Sequence, residues 1–285
     1  AEFEVRESDR SIRVSTPEFC YVYNKLTGVF DSMVYGNQSL LERPMEYNIW
    51  RAPTDNDRRI RLEWEKAQYN RTNARAYETR LEVRADQVRI ETTLSICAVY
   101  FQRILNVSAC WIIRPDGAVD ISIHGEKDPV FPFLPRFGLR LFLPKSMDRV
   151  SYCGIGPEES YIDKRWAGWH GLFETNVKAL HEDYIKPQEN GSHHDCDFVT
   201  VGNDKAALTI AGKRTFAFNA SVYTQEELTG KAHNYQLEEA PYTVLCVDYR
   251  QSGIGSASCG PDLSEEYRLI GENMDFEVRM KPECR

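Results

Sequence analysis

The chain has 285 residues, of which 35 are Lys or Arg and 43 are Asp or Glu, so its formal net charge is −8. This acidic balance, with no block of basic residues, argues against a nucleic-acid partner, because binding to phosphates depends on clustered Lys and Arg. No apolar run approaches the roughly 18 residues that a membrane helix needs, so we expect no membrane partner either.

Alternation of apolar and polar residues with a period of two dominates the chain and predicts β-strands. In chain order, strands are predicted over residues 19–23, 80–84, 87–96, 105–114, 118–124, 139–142, 198–201, 206–210, 216–220, 242–249 and 276–280. Turn-forming residues at Asp86 and at Pro115-Asp116-Gly117 separate consecutive strands, which indicates an antiparallel meander rather than βαβ units.

Helices are predicted at only three places, and all are short. Residues 62–75 have helical character, Pro157 begins a helix of one or two turns that stops before Gly168, and Thr224-x-x-Glu227 is a capping-box start. So many strands for so few helices exclude a (β/α)₈ barrel and a Rossmann domain. We therefore predict an all-β fold, a large antiparallel sandwich with a few short helices, that forms one domain over residues 1–285.

The beginning of the chain and its cysteines bear on where the protein works. The sequence opens at Ala1 without an initiator Met or an apolar signal core, so we expect a mature product or a piece cut from a longer protein. Eight cysteines are spread out without Cys-x-x-Cys spacing, which favours reduced thiols and a cytoplasmic location over a disulfide framework. A periplasmic or secreted location stays open, because Asn-x-Ser/Thr sequons occur at Asn37, Asn70, Asn106, Asn190 and Asn219.

Long irregular segments at 45–59, 144–168 and 184–197 hold most of the residues capable of chemistry, and loops on a β scaffold often carry function. In the first segment, carboxylates and amides could hold a cation or bind sugar hydroxyls, or could simply cap the backbone of an Asx-rich turn. In the third segment, imidazole, thiol and carboxylate groups at 193–197 suggest a metal site. Because adjacent residues of an extended chain point to opposite faces, a polar loop is the favoured interpretation there.

The segment at 253–261 is rich in Gly and Ser and contains a cysteine, Cys259. A phosphate-binding loop would need a helix after it, whereas Pro261-Asp262-Leu263 leads toward strand-like sequence. A tight turn that lets the backbone approach a ligand is the favoured interpretation.

Five phrases in these loops, taken together, resemble the C-terminal small-chain domain of lactose-hydrolysing β-galactosidases in glycoside hydrolase family two. They are YNKLTGVFDSMVYGNQSLLERPMEYNIWRAPTDND (23–57), YCGIGPEESYIDKR (152–165), YIKPQENGSHHDCDF (184–198), FNASVYTQEELTGKAHNYQL (218–237) and DYRQSGIGSASCGP (248–261). The resemblance implies a β-supersandwich similar to galactose mutarotases.

The resemblance also implies that this chain has no catalytic residue and no cofactor of its own. In that family the catalytic glutamates and the magnesium ligands lie in a central barrel, which this sequence does not contain. We therefore expect a non-catalytic domain that lends a loop to the active site of a parent enzyme holding Mg and Na. The expected partners are the remaining domains of that parent, a galactoside substrate and further copies in a homo-oligomer.

Site residues follow from the resemblance position by position. In many family members the Gly-rich loop places a Trp that stacks on the sugar, and the aligned position here is Cys259, in a loop about one residue shorter. Ser256, Ser258 and Cys259 are expected to face the pocket. Further substrate-binding candidates match family phrases: Arg51, Asp55, Asn56, Asp57, Glu189 and Asn190. The alternatives are a stand-alone mutarotase-like aldose epimerase with a His/Glu acid–base pair, and a sugar-binding module.

Overall fold

Across residues 2–285, which the computed structural model describes, seventeen β-strands form two antiparallel sheets. The smaller sheet contains, in spatial order, β1 (Glu4–Glu7), β2 (Ser11–Ser15), β3 (Phe19–Asn24), β4 (Val29–Tyr35) and β5 (Gln38–Ser39). The larger sheet contains β6 (Arg43–Asn48), β7 (Thr72–Arg84), β8 (Gln87–Ala98), β9 (Leu105–Ile113), β10 (Val119–Lys127), β11 (Arg136–Pro144), β12 (Arg149–Gly156), β13 (Trp169–Asn176), β14 (Ser192–Gly202), β15 (Ala206–Ser221), β16 (Tyr242–Gln251) and β17 (Met274–Cys284).

Strand β15 belongs to both layers of the larger sheet. Its residues 206–212 pair with β17, whereas residues 217–221 pair with β16, which continues to β11 and β6. Its neighbour β14 shows two register shifts at the same level, between His193 and Cys196 and between Cys196 and Phe198. Irregularities of this kind bend a strand, so the sheet folds over onto itself as a sandwich.

The core fills the space between these layers and the smaller sheet. Strand β9 alternates strictly, with Val107, Ala109, Trp111 and Ile113 buried. The Trp111 ring packs edge-on against Phe30 of the smaller sheet, at 5.3 Å between ring centroids. Residues of both sheets therefore belong to one continuous hydrophobic cluster.

The sequence-based prediction of an all-β antiparallel sandwich is confirmed, and each predicted strand lies in an observed strand to within one residue at either end. The predicted strands 206–210 and 216–220 form the single strand β15. Strands β1, β2, β4, β5, β6, β12 and β13 were not predicted.

Of the three predicted helices, the one at Thr224 is confirmed. The Thr224 hydroxyl accepts a 3.1 Å hydrogen bond from the Glu227 N–H at the start of α2 (Gln225–Gly230). The helix predicted over 62–75 is right only at its beginning, because α1 (Ile60–Lys66) ends early and Gln68 has a φ of 58°. From Thr72 onward the chain pairs with β8 instead, and this long-range pairing outweighs local helical preference.

The helix predicted from Pro157 is wrong. A cis peptide bond joins Gly156 to Pro157, and the chain then makes a tight turn in which Tyr161 and Lys164 exchange backbone hydrogen bonds. The segment is held by contacts with other loops rather than by helical hydrogen bonds. Within residues 2–285, no helix has the length and apolar character needed to span a membrane.

Candidate functional site

A cleft of about 450 Å³ opens where four loops meet. Its walls come from residues 54–56 after β6, 159–164 after β12, 184–189 before β14, and 254–258 after β16. A larger depression of about 660 Å³ lies on the outer face of β8, β9 and β10 and is formed by strand side chains, away from the predicted site residues. The loop cleft is therefore the site that the fold builds from the predicted segments.

Arg51 and Asp57 form a buried ion pair behind the cleft. Arg51 Nη2 donates to Asp57 Oδ1 at 2.7 Å and Arg51 Nε donates to Asp57 Oδ2 at 3.1 Å. The same guanidinium donates to the carbonyls of Ser252, at 2.6 Å, and Gly253, at 3.0 Å. These two predicted residues thus fasten the loop after β6 to the loop after β16.

Asn56 and Asp55 lie on the wall of the cleft itself. Asn56 Nδ2 donates to the Gly255 carbonyl at 2.8 Å, and Asn56 Oδ1 accepts from the Ser258 N–H at 3.0 Å. Asp55 is exposed, and its backbone N–H donates to Gln188 Oε1 at 3.1 Å. The Asx-rich turn therefore bonds to neighbouring loops rather than only to its own backbone.

Asp163 holds the glycine-rich loop from the opposite side, and the sequence analysis missed it. Its Oδ1 accepts from the Ile254 N–H at 2.8 Å and its Oδ2 accepts from the Gly255 N–H at 2.7 Å. A Cβ at Gly253 would lie 2.6 Å from this carboxylate, so glycine permits the close approach there. The only sequence signal was an acidic residue between Tyr161 and Lys164, in a segment predicted to be helical.

Glu189 lines the cleft and belongs to a buried network that lies beneath it. Its Oε2 accepts from Arg136 Nη1 at 3.2 Å, and its Oε1 accepts from the Ser192 hydroxyl at 2.8 Å and from Asn219 Nδ2 at 3.1 Å. Arg136 also forms an ion pair with Asp248, in which Nη2 donates to Oδ2 at 2.7 Å. Two buried carboxylates therefore share one buried guanidinium.

The charges in this network shift each other's pKa values. Burial lowers the pKa of Arg136, but Asp248 and Glu189 more than offset this and raise it well above its ordinary value. Burial raises the pKa of Asp248 to about 6, against the opposing effect of Arg136. We take the Arg136–Asp248 pair as ionised at neutral pH, because a two-pronged geometry at 2.7 to 3.2 Å stabilises the charged form.

Asn190 and Asn219, two of the predicted sequons, lie inside the same network. Asn219 Nδ2 donates to the Asn190 carbonyl at 2.6 Å, and Asn190 Oδ1 accepts from the Glu182 N–H at 2.9 Å. Both side chains are buried. Neither amide can carry a glycan in the folded chain.

The remaining predicted residues form the tip of the glycine-rich loop. Ser256, Ser258 and Cys259 are all exposed, and the Ser256 carbonyl accepts from the Gly260 N–H at 2.7 Å to close the turn. Ser258 lines the cleft together with Asp55, Asn56 and Glu189. The structure thus brings four of the nine predicted residues to the cleft wall and places Arg51, Asp57 and Asn190 behind it.

The groups of the segment 193–197 diverge. His193 is buried and stacks on Phe218, at 5.2 Å between ring centroids, and burial lowers its pKa to about 4. Cys196 is also buried, whereas Asp195 pairs with Arg165 at 2.8 Å. These three side chains do not share one site.

Chemically, the cleft offers carboxylate, amide, hydroxyl and ammonium groups that can bond to the hydroxyls of a sugar. Its most buried carboxylates are already engaged: Glu159 Oε2 accepts from the Gly191 N–H at 2.8 Å, and Glu189 is held by the network. The imidazoles lie elsewhere, with His193 in the core, His181 against the Tyr223 ring and His233 exposed. The cleft therefore presents polar groups that can bind and orient a ligand rich in hydroxyl groups.

Comparison with known proteins gives similar folds among solved structures. The chain is similar to galactose 1-epimerase from Lactobacillus acidophilus NCFM, with a TM-score of 0.54 and 9% identity over 100% of this chain and 98% of that one. A putative mutarotase from Salmonella typhimurium gives a TM-score of 0.50 at 10% identity, over 100% of this chain and 94% of that one. At such low identity these likenesses concern the fold alone, and they confirm the predicted mutarotase-like architecture.

Sequence similarity identifies the family more specifically than similarity of fold does. A β-galactosidase from Actinobacillus pleuropneumoniae is 41% identical over 97% of this chain, and one from Staphylococcus xylosus is 34% identical over 98%. The chain spans only 27% and 28% of the length of these two relatives. The family model described as "Beta galactosidase small chain" matches residues 15–280. The predicted resemblance is confirmed: this chain belongs to the β-galactosidase small chain family.

Proposed function

We propose that this chain is the non-catalytic small-chain domain of a β-galactosidase, and that it presents its glycine-rich loop to the sugar-binding pocket formed by the rest of the enzyme. The family match and the share of the relatives' length that the chain spans support this proposal. The observation that carries it is the way in which residues 252–258 are held at the rim of the cleft.

The backbone of this loop is fixed from three sides. Arg51 donates to the carbonyls of Ser252 and Gly253, Asp163 accepts from two N–H groups, and Asn56 bonds to Gly255 and Ser258. The side chains at the tip nevertheless stay exposed. A loop that is ordered before binding loses little conformational entropy when it meets a ligand or another domain.

The partners in this proposal are the remaining domains of the parent, a terminal β-galactoside, and further copies of the parent in a homo-oligomer. The magnesium and sodium ions expected of the parent would be held by those remaining domains. A cytoplasmic location is part of the proposal, supported by eight cysteines without disulfide bonds among residues 2–285 and by the burial of two sequon side chains.

Three proteins test the proposal: the full-length parent, the parent lacking residues 1–285, and this chain. We expect the full-length parent to hydrolyse o-nitrophenyl galactoside and the truncated parent to lose most of that activity. Mixing the truncated parent with this chain should restore turnover, and the two should elute together in size-exclusion chromatography.

The loop is tested in the same mixture by the double variant Asn56→Ala/Asp163→Ala, which should raise KM for the galactoside. Asn203→Ala is the matched control, because Asn203 makes comparable hydrogen bonds at the distant turn between β14 and β15. A truncated parent with full activity and unchanged KM would show that this chain does not complete the pocket.

A further inference from the structure

We propose that Cys153, His170 and Asp197 form a binding site for a single divalent transition-metal ion of the zinc class. A ligand atom of each residue lies within 4.8 Å of the corresponding atom of the other two. His170 Nε2 and Asp197 Oδ2 are 3.0 Å apart. This site is separate from the loop cleft and does not depend on the proposed function.

The three residues come from three adjacent strands. On β12, Cys153 pairs with Leu172 of β13 on one side and with Phe198 of β14 on the other. His170 lies two residues before Leu172, on the same face of the sheet, at a diagonal distance that a long side chain can span. The fold therefore brings the thiol and the imidazole together although 17 positions separate them in the sequence.

Asp197 reaches this face because the strand is irregular at that point. In β14, Cys196 and Val199 are both fully buried although they are three residues apart, and a regular strand would point them to opposite faces. The register shift between Cys196 and Phe198 accounts for this change of side. It leaves Asp197 exposed, beside Cys153, as bulges often redirect a side chain near functional sites.

The donor set selects the class of metal. Thiolate, imidazole and carboxylate are the protein ligands of zinc, at about 2.0 to 2.3 Å, whereas magnesium and calcium prefer oxygen alone. The half-buried thiol and the exposed His170 and Asp197 leave the site open to solvent, so that water can complete a tetrahedral arrangement.

The site would bind its ion through a thiolate, because the thiolate is the form of cysteine that ligates metals. On binding, the S–H bond of Cys153 breaks, its proton passes to the buffer, and a sulfur–metal bond forms. His170 Nε2 and Asp197 Oδ2, which lie 3.0 Å apart, supply the other two protein ligands.

The competing explanation is an ordinary exposed contact between His170 and Asp197 beside an inert thiol, which contributes little to stability. It predicts no metal binding that depends on all three residues. The sequence-based expectation was likewise that this chain holds no cofactor of its own.

Titration of the 285-residue chain with Co²⁺ distinguishes the two explanations. We expect one ion per chain and a thiolate-to-cobalt charge-transfer absorption, which Zn²⁺ abolishes by displacement. Cys153→Ser should remove that absorption, and His170→Ala and Asp197→Asn should each weaken Zn²⁺ binding at least about tenfold, as measured with a competing chromophoric chelator.

Cys284→Ser is the matched control, because Cys284 is an exposed free thiol outside the cluster. It should keep both the absorption and the affinity. Thermal unfolding without metal checks that every variant is folded. The site would be overturned if the absorption band were absent from the unsubstituted chain, persisted in Cys153→Ser or disappeared in Cys284→Ser. Unchanged Zn²⁺ affinity in the His170 and Asp197 variants would also overturn it.

Discussion

The side chain of Asn56 holds the backbone of Gly255 at 2.8 Å, although 199 positions separate the two residues. This bond links the loop after β6 to the loop after β16 at the wall of the cleft. The loop that we propose to meet the sugar is therefore shaped mainly by residues distant from it in sequence.

Asn56→Ala should loosen the glycine-rich loop without unfolding the domain. The variant loses the hydrogen bonds to Gly255 and Ser258, each worth about 1 kcal/mol. We expect the Ser258 N–H to exchange with solvent about tenfold faster in amide hydrogen-exchange measurements. Asn203→Ala, the control at the β14–β15 turn, should leave Ser258 exchange unchanged; equal rates in both variants would mean that Asn56 does not order the loop.

Arg136→Met should destabilise the chain by about 3 to 5 kcal/mol, because it leaves Asp248 and Glu189 buried without their cation. Urea denaturation measures this change in the free energy of unfolding, and Arg136→Lys, which keeps a charge, should cost less. Arg279→Met removes a comparable pair with Asp120, but the Arg279 side chain is 55% exposed. That control should cost about 1 kcal/mol or less, and a similar loss in both would refute the role given to burial.

His193 should make the chain sensitive to mild acid. Its folded-state pKa of about 4 lies below the unfolded value of 6.5, so between these values the unfolded chain binds a proton that the native chain does not. The free energy of unfolding therefore falls as pH drops from 6.5 to 4, by about 3 kcal/mol from this group.

The variant His193→Gln should flatten that part of the curve of stability against pH, as followed by urea denaturation at several pH values. Exposed His233→Gln is the control and should keep the wild-type slope. If the His193→Gln variant lost stability with falling pH as steeply as the unsubstituted chain, His193 would not be buried in its neutral form.

Much of the fold could be predicted from the sequence, because burial imposes a local pattern. Strand β9 shows the alternation of Val107 and Trp111 with polar residues, and Thr224 caps α2 through a contact three residues away. These signals lie within a few residues of one another. They can be recognised in the sequence wherever the sheet has one buried and one exposed face.

What could not be predicted depends on contacts between distant segments. Asp163 lies in a segment that was predicted to be a short helix. Its role could not be seen locally, because its partners Ile254 and Gly255 lie about 90 positions later. Asp197 changes face only because β14 is irregular. Arg136 and Asp248 did leave a signal, since each is a charged residue in a mostly apolar strand and needs a partner where it is buried.

Cys259→Trp tests whether the tip of the loop meets the sugar. Because Cys259 is exposed, the substitution should change the free energy of unfolding by about 0.5 kcal/mol or less. In the full-length enzyme we expect galactoside affinity to rise several-fold, since an aromatic ring would add a stacking surface. Unchanged affinity with a lower melting temperature would assign this position a structural role.

We propose that this chain supports catalysis without performing it, and measuring the activity of the isolated chain tests this proposal. We predict no turnover of o-nitrophenyl galactoside and no acceleration of galactose mutarotation, at any chain concentration. Turnover in either assay that scales with the chain's concentration, and that Glu159→Gln or Glu189→Gln abolishes, would contradict the claim and make this chain an enzyme in its own right.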